Sequence, residues 1–272
     1  MDAAPLPLPF RSMTLQGRTN AFNGLEIDGE AIPAEEVELR ALFPSRMAQW
    51  REDGLSLIWL RVPLAKSFAI PAAVEQGFVF HHSQADYVML TCALEPRAFI
   101  PPYATHFVGA GGVVLDSRQR LLVVNERFRG NRSEPFWKLP GGLLDPGEHL
   151  EAGVRREVLE ETGIETRFDR LVVAWHNHRY QFGKSGFYMV CRLTPLTFDI
   201  RKDDFEIDDC CWMPLEEYLA SPHVASFNRV IVEAAVANPT LAETVLPFYP
   251  DPDRHEFFFP PAPWPLAPET VP

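Results

Sequence analysis

The chain of 272 residues is poor in cysteine, in basic charge and in long apolar runs. Its four cysteines are Cys92, Cys191, Cys210 and Cys211, and none belongs to a C-x-x-C pair. The adjacent Cys210 and Cys211 make a poor zinc clip, so neither a zinc ribbon nor a disulfide-stapled scaffold is indicated. Four reduced thiols in a cytoplasmic protein are expected instead. The apolar run from Leu55 stops at Arg61, well short of the ~20 residues that span a bilayer, so no membrane partner is expected. The opening Met-Asp-Ala-Ala-Pro lacks a basic stretch leading into an apolar core, so no export signal is expected. With 25 Lys+Arg against 37 Asp+Glu the formal net charge is −12. Nucleic acid is therefore an unlikely partner, because it needs a basic face. No internal repeat is visible.

An apolar content of 46% is ordinary for a globular chain, and the length allows one large domain or two small ones. Proline marks the boundaries. It stands at 5, 7 and 9, it clusters from Glu95-Pro96 to Pro101-Pro102, and it occurs nine times in the last 26 residues. The expected organisation is a loose arm over 1–19, a small α/β module over 20–94, a linker over 95–104, a larger domain over 105–246 and a proline-rich tail over 247–272. Phe257 to Phe259 and Trp264 suggest a tail that drapes over the body.

The module reads as βαβαββ. Its strands fall near 24–28, 55–62, 78–82 and 87–92. Its helices fall near 34–50, with Val37, Leu39, Leu42 and Met47 inward, and near 72–76. His81 and His82 are adjacent on a strand, so their side chains should point to opposite faces. The larger domain reads as strands near 108–115, 121–125, 136–139, 171–176, 187–193 and 209–213. Helices are expected at 149–162, 214–218 and 228–237.

The informative stretch runs from Gly141 to Ile164. Asp145-Pro146-Gly147 is a turn that delivers the chain into a helix. Leu150, Val154 and Val158 recur every four residues as a buried stripe. Glu157, Glu160 and Glu161 stand at i, i+3 and i+4, so their carboxylates share one helical face. They repel unless a cation compensates, and oxygen-only ligands suit Mg²⁺ or Mn²⁺ rather than zinc. Arg156 can pair with an acid and hold it ionised. Gly163 ends the helix.

These residues resemble the signature of the Nudix hydrolases, G-x5-E-x7-R-E-U-x-E-E-x-G-U with U a bulky aliphatic. The match is Gly142, Glu148, Arg156, Glu157, Val158, Glu160, Glu161, Gly163 and Ile164, without departure. Chance alone would give it with odds on the order of 10⁻⁷. Trp137 to Gly142 resembles the family's approach to that signature. Ser45 to Trp59, Gly77 to His82, Gly183-Lys184-Ser185 and Cys191-Arg192-Leu193 are similar to a subgroup with an extra N-terminal module. That subgroup includes plant Nudix hydrolases acting on ADP-ribose and NADH, and the animal Nudix protein encoded antisense to a fibroblast growth factor gene.

The resemblance implies an α+β chain. A Nudix α-β-α sandwich around a mixed sheet would follow a small module similar to part of an acetyltransferase fold, without its acetyl-CoA loop. It implies hydrolysis of a nucleoside diphosphate linked to another moiety, such as ADP-ribose or NADH. Alternatives are a Nudix-fold nucleotide-binding protein with little catalysis, and an RNA decapping enzyme. By the same resemblance Glu157, Glu160, Glu161 and the Gly141 carbonyl hold Mg²⁺ or Mn²⁺, Arg156 orients them, and Glu160 or Glu161 can act on water. Glu148 is either a water-mediated metal contact or a helix-start acid. Glu206 is a candidate general base or a solvated loop acid. Lys138 could meet substrate phosphate or sit at a sheet edge. His176, His178, Arg179 and Tyr180 could line a nucleotide pocket or form a polar loop. Tyr180 stands where many ADP-ribose hydrolases carry proline. The NADH and coenzyme A signatures are absent. A homodimer is a possible assembly.

Overall fold

A computed structural model describes residues 15–128, 134–178, 180–237, 242–243 and 258–259. Arg179, residues 1–14 of the expected arm, and the expected tail apart from Phe258–Phe259 lie outside the described residues. The chain divides into two compact units, 1–104 and 105–272.

The first unit holds β1 (Gly17–Thr19), β2 (Gly24–Ile27), α1 (Glu36–Glu52), β3 (Leu57–Pro63), α2 (Ala69–Glu75), β4 (Val79–Ser83) and β5 (Tyr87–Ala93). Its sheet runs β1-β2-β3-β5-β4. Only β2 and β3 are parallel. One strand more than expected is present, because residues 15–19 are seated rather than loose. Leu15 is buried and β1 pairs with β2. Ile58, Leu60 and Val62 alternate inward along β3 and meet Leu39, Phe43, Met47 and Trp50 of α1. Val37, expected inward, is 80% exposed. The buried stripe of α1 begins at Leu39 and continues through Phe43.

The two adjacent histidines also differ from expectation. The β4–β5 register slips between Phe80 and His82. That irregularity cancels the alternation and brings both imidazoles together, Nδ1 to Nδ1 at 2.7 Å. His81 Nε2 lies 2.8 Å from the Pro101 carbonyl oxygen and His82 Nε2 lies 3.1 Å from the Tyr87 hydroxyl.

The second unit holds β6 (His106–Val114), β7 (Arg120–Glu126), β8 (Trp137–Lys138), β9 (Gly141–Leu143), α3 (Leu150–Thr162), β10 (Thr166–Asn177), β11 (Ser185–Pro195), β12 (Ile207–Pro214), α4 (Leu215–Ala220) and α5 (Ser226–Ala237). Ala242–Glu243 pairs with Phe258–Phe259. One sheet runs β10-β11-β6-β9 and is mixed, since β11 and β6 are parallel. The other, β12-β7-β8, is antiparallel. Strand alternation divides the interior in two. Ala110, Val114 and Leu122 pack with Leu150, Val154 and Val158 of α3. Val113, Leu121 and Val123 pack with Tyr218 of α4 and with Ile231 and Val232 of α5. Helices thus cover both faces of a β layer, an α-β-α sandwich in an α+β chain. No helix among the described residues is long and apolar enough to cross a membrane.

Candidate active site

The buried stripe of α3 fixes its rotation, and that rotation aims the acids at β9. Gly163 adopts φ +73° and donates its N–H to the Leu159 carbonyl at 2.8 Å, ending the helix. Glu161 is only 6% exposed, and its Oε2 accepts the Gly141 N–H at 3.0 Å. Burial pushes this carboxyl up to about 8, against the lowering pull of that N–H and of Lys138. Burial also raises Glu157, against the Arg156 guanidinium beside it. Glu160 is the exposed member of the set, with 59% of its side chain open.

Arg156 ties the acids together. Its Nε and Nη2 donate to the two oxygens of Glu148 at 2.8 Å each. Its Nη1 donates to Glu157 Oε1 and Glu160 Oε2, both at 2.9 Å. One guanidinium therefore serves three carboxylates, a use of its planar fork that lysine lacks. Hydrogen bonding from Arg156 is the leading cause that holds Glu148 down at about 2, despite burial. The Asp145 N–H adds to it, donating to Glu148 Oε2 at 3.0 Å. Glu148 thus works through Arg156 at the start of the helix.

Gly141 and Gly142 let β9 press against this group. Gly141 sits at φ +148°, where a Cβ would meet Gly111 Cα at 2.6 Å and the Tyr188 hydroxyl at 2.9 Å. A Cβ on Gly142 would fall 2.5 Å from Glu157 Oε2. Glu157 and Glu161, which touch this glycine pair, line an open cavity of about 470 Å³ with Glu160, Arg201, Asp203 and Glu206. The glycines themselves help line a cleft of about 550 Å³, with Glu126, Lys138 and aromatic side chains. Trp175 and Phe227 place ring centroids 4.8 Å apart there, and Phe107 and Tyr180 place theirs 5.7 Å apart.

The structure brings Glu206 to the acids and Lys138 and Tyr180 to the cleft. Lys138 is ion-paired with Glu126. His176 and His178 do not line the cleft. Alternation along β10 sends Trp175 and Asn177 into it, while His176 Nε2 meets His106 Nε2 at 2.8 Å and its ring lies 4.2 Å from that of His178. Sequence reasoning missed Glu126, Asp203, Trp175, Tyr188 and Phe227. Glu126 carries a faint signal, a carboxylate closing an apolar strand. The others are assembled by tertiary contacts and leave no local pattern.

Oxygen donors alone form the acidic cavity, five carboxylates against one guanidinium, which suits a hard divalent cation. Among the described residues no three His, Cys, Asp or Glu side chains already converge as an ion cage. Glu157 and Glu160 turn oxygens to Arg156, and Glu161 turns one to Gly141.

Comparison with known proteins follows this division of the chain. A family model described as the NUDIX domain matches residues 105–234, and a second, described as a Nudix hydrolase domain, matches residues 15–94. Nudix hydrolase 8 of Arabidopsis thaliana is 34% identical over 222 residues, covering 80% of this chain and 60% of that protein's own length. Nucleoside diphosphate-linked moiety X motif 6 of Mus musculus is 37% identical over 217 residues, covering 77% of this chain and 68% of the mouse protein. Among solved structures, a NUDIX hydrolase from Nitrosomonas europaea is 26% identical, covers 48% of this chain and 88% of that one, and gives a TM-score of 0.42.

Proposed function

The chain belongs to the Nudix hydrolase family, and on that premise we propose that it hydrolyses the diphosphate bond of a nucleoside diphosphate linked to another moiety. The products are a nucleoside monophosphate and a phosphorylated remainder. ADP-ribose, NADH and related dinucleotides are the substrates proposed. The observation that carries this reading is that Gly141 and Gly142 line the aromatic cleft while touching Glu161 and Glu157 of the acidic cavity.

Each side suits one part of such a molecule. Trp175, Phe227, Phe107 and Tyr180 offer flat apolar faces to a base or nicotinamide ring. Lys138 offers positive charge beside Gly141, where the diphosphate would pass. Glu157, Glu160, Glu161 and the Gly141 carbonyl would hold Mg²⁺ or Mn²⁺. When bound, such an ion neutralises phosphate oxygens and makes water more acidic. The chain's own part is positioning and proton handling. Arg156 keeps Glu157 and Glu160 oriented from below. Gly141 N–H steers Glu161. Glu206, across the cavity from α3, is the proposed proton acceptor for the attacking water, with Glu160 and Glu161 able to share that task. The four cysteines are all free thiols, which supports a cytoplasmic setting.

The test is a panel of ADP-ribose, NADH, dinucleoside polyphosphates and nucleotide sugars, incubated with Mg²⁺ or Mn²⁺ and resolved by chromatography. Release of a nucleoside monophosphate from at least one member is expected. No turnover of any member would overturn the hydrolase reading and favour a binding protein.

A further inference from the structure

Tyr188 stands at the centre of β11, with Trp175 of β10 opposite on one side and Gly109 of β6 on the other. All three line the aromatic cleft. Three glycines make room for this one side chain. A Cβ on Gly109 would lie 2.8 Å from Tyr188 Cδ2, and one on Gly111 or Gly141 would lie 2.6 or 2.9 Å from the hydroxyl oxygen. The ring therefore lies flat along the β6 backbone, and its hydroxyl reaches the narrow point where β6 and β9 meet. Gly141, whose N–H holds Glu161, is its neighbour there.

The hydroxyl has no hydrogen-bond partner among the described residues. The oxygen is not sealed off, since Tyr188 is only partly buried and helps line the open cleft. A phenylalanine would fill the same space, so what the hydroxyl adds is a donor at the cleft wall. A phenol is a proton donor at any working pH, and an anionic oxygen is its best partner.

We infer that Tyr188 is a substrate-contact residue whose hydroxyl donates a hydrogen bond to a non-bridging phosphate oxygen as the substrate crosses Gly141 from the aromatic cleft to the acids. This rests on the proposed function for the location of the phosphate. It adds a contact outside the glutamate helix, contributed by the strand beneath the cleft. The ring stays fixed in the free and bound protein, because the three glycines leave it one place to lie. The contact is therefore pre-organised, and it discriminates phosphate-bearing ligands from their dephosphorylated counterparts.

Tyr188→Phe in the full chain tests this. With the best substrate of the panel and saturating Mg²⁺, KM should rise about tenfold while kcat changes less than about threefold, the Mg²⁺ half-saturation holds and the thermal midpoint is not lowered. A calorimetric comparison needs no turnover. The wild type should bind adenosine 5′-monophosphate more tightly than adenosine in the presence of Mg²⁺, and Tyr188→Phe should shrink that preference about tenfold. Unchanged KM and unchanged preference in the variant would overturn the inference, as would a wild type with no preference for the phosphorylated ligand. If the wild type turns nothing over yet its preference is lost in the variant, the hydrolase reading fails and the Tyr188 contact stands. If turnover is robust and indifferent to Tyr188→Phe, the contact fails and the hydrolase reading stands.

Discussion

Arg156 is the residue on which most of the acidic site depends. It pairs with Glu148, Glu157 and Glu160 at once, so Arg156→Lys should remove the fork while keeping the charge. We expect a loss of about 1–3 kcal/mol in urea unfolding at pH 7. A change below about 0.5 kcal/mol would mean that the network is ornamental. The same variant has a pH signature. Glu148 is held at about 2 in the fold against an ordinary value near 4.5, so its contribution is fully present above ~4.5 and is lost as pH falls toward 2. Acid titration of the urea midpoint should be steep in that window for the wild type and flatter for Arg156→Lys. Glu161 works in the other direction. Raised to about 8, it is mostly protonated at pH 7 and must ionise to hold a cation. Mg²⁺ binding at pH 7 should therefore release a proton, and affinity should rise from pH 6.5 to 8.5. Calorimetry in buffers of different ionisation enthalpy reads both. The pairing of one arginine with an acid was legible in the sequence, from spacing alone. Its reach to Glu148, eight residues earlier, was not, because the Asp145-Pro146-Gly147 turn folds that carboxylate back onto the helix.

At the scale of elements, α3 was the most legible part of the chain. The apolar stripe, the turn before it and the glycine after it each have a local cause. Gly163→Ala tests that reading, since a Cβ at φ +73° would also crowd Arg201 Cβ at 2.7 Å. A loss of about 1–2 kcal/mol is expected. An unchanged urea midpoint would contradict it. The aromatic cleft was illegible because Trp175 and Phe227 lie on different elements and meet only through packing of α5 over the sheet. The His81–His82 contact was misread for another reason, since a register slip has no sequence mark. Its hydrogen bonds allow one neutral arrangement. The Pro101 carbonyl can only accept, so His81 Nε2 donates to it, His82 Nδ1 donates to His81 Nδ1, and the Tyr87 hydroxyl donates to His82 Nε2. Tyr103 stacks on His82 at 4.6 Å and Trp59 abuts His81, while Arg61 over the Tyr87 ring is the nearby cation. Protonation would set N–H against N–H. Burial, then the neighbouring His81, lowers His82, so this contribution is present above pH ~6.5 and is lost as pH falls through the lowered value. Nitrogen-15 spectra should find His82 as the Nδ1–H tautomer at pH 7.5. The Nε2–H form would contradict the chain.

For the whole molecule, the charge of −12 is surplus negative charge on a chain proposed to bind an anionic substrate. The structure collects Glu157, Glu160, Glu161, Asp203 and Glu206 around one cavity, with Arg201 as the cation among them. On the proposed function, divalent cations would meet that surplus charge, and it would not bar phosphate. Fluorescence anisotropy with a single-stranded RNA 20-mer at 150 mM salt should show no binding tighter than roughly 100 µM. Tighter binding would revive a decapping role. The proline cluster from Pro96 to Pro102 lies just before the division between the two compact units, and the sandwich followed from the resemblance of Gly142 to Ile164 to a family signature. Which nucleotide is cleaved was not legible, since the cleft draws on β6, β8, β9, β10, β11 and α5. The central claim is that the acids of α3 perform metal-assisted hydrolysis. Its most direct test is the Mg²⁺ dependence of monophosphate release by wild type, Glu160→Gln and Glu161→Gln. The account predicts activity that vanishes without a divalent ion and falls at least about a hundredfold in one of the two variants. Activity that survives both substitutions, or that persists in chelator, would contradict it.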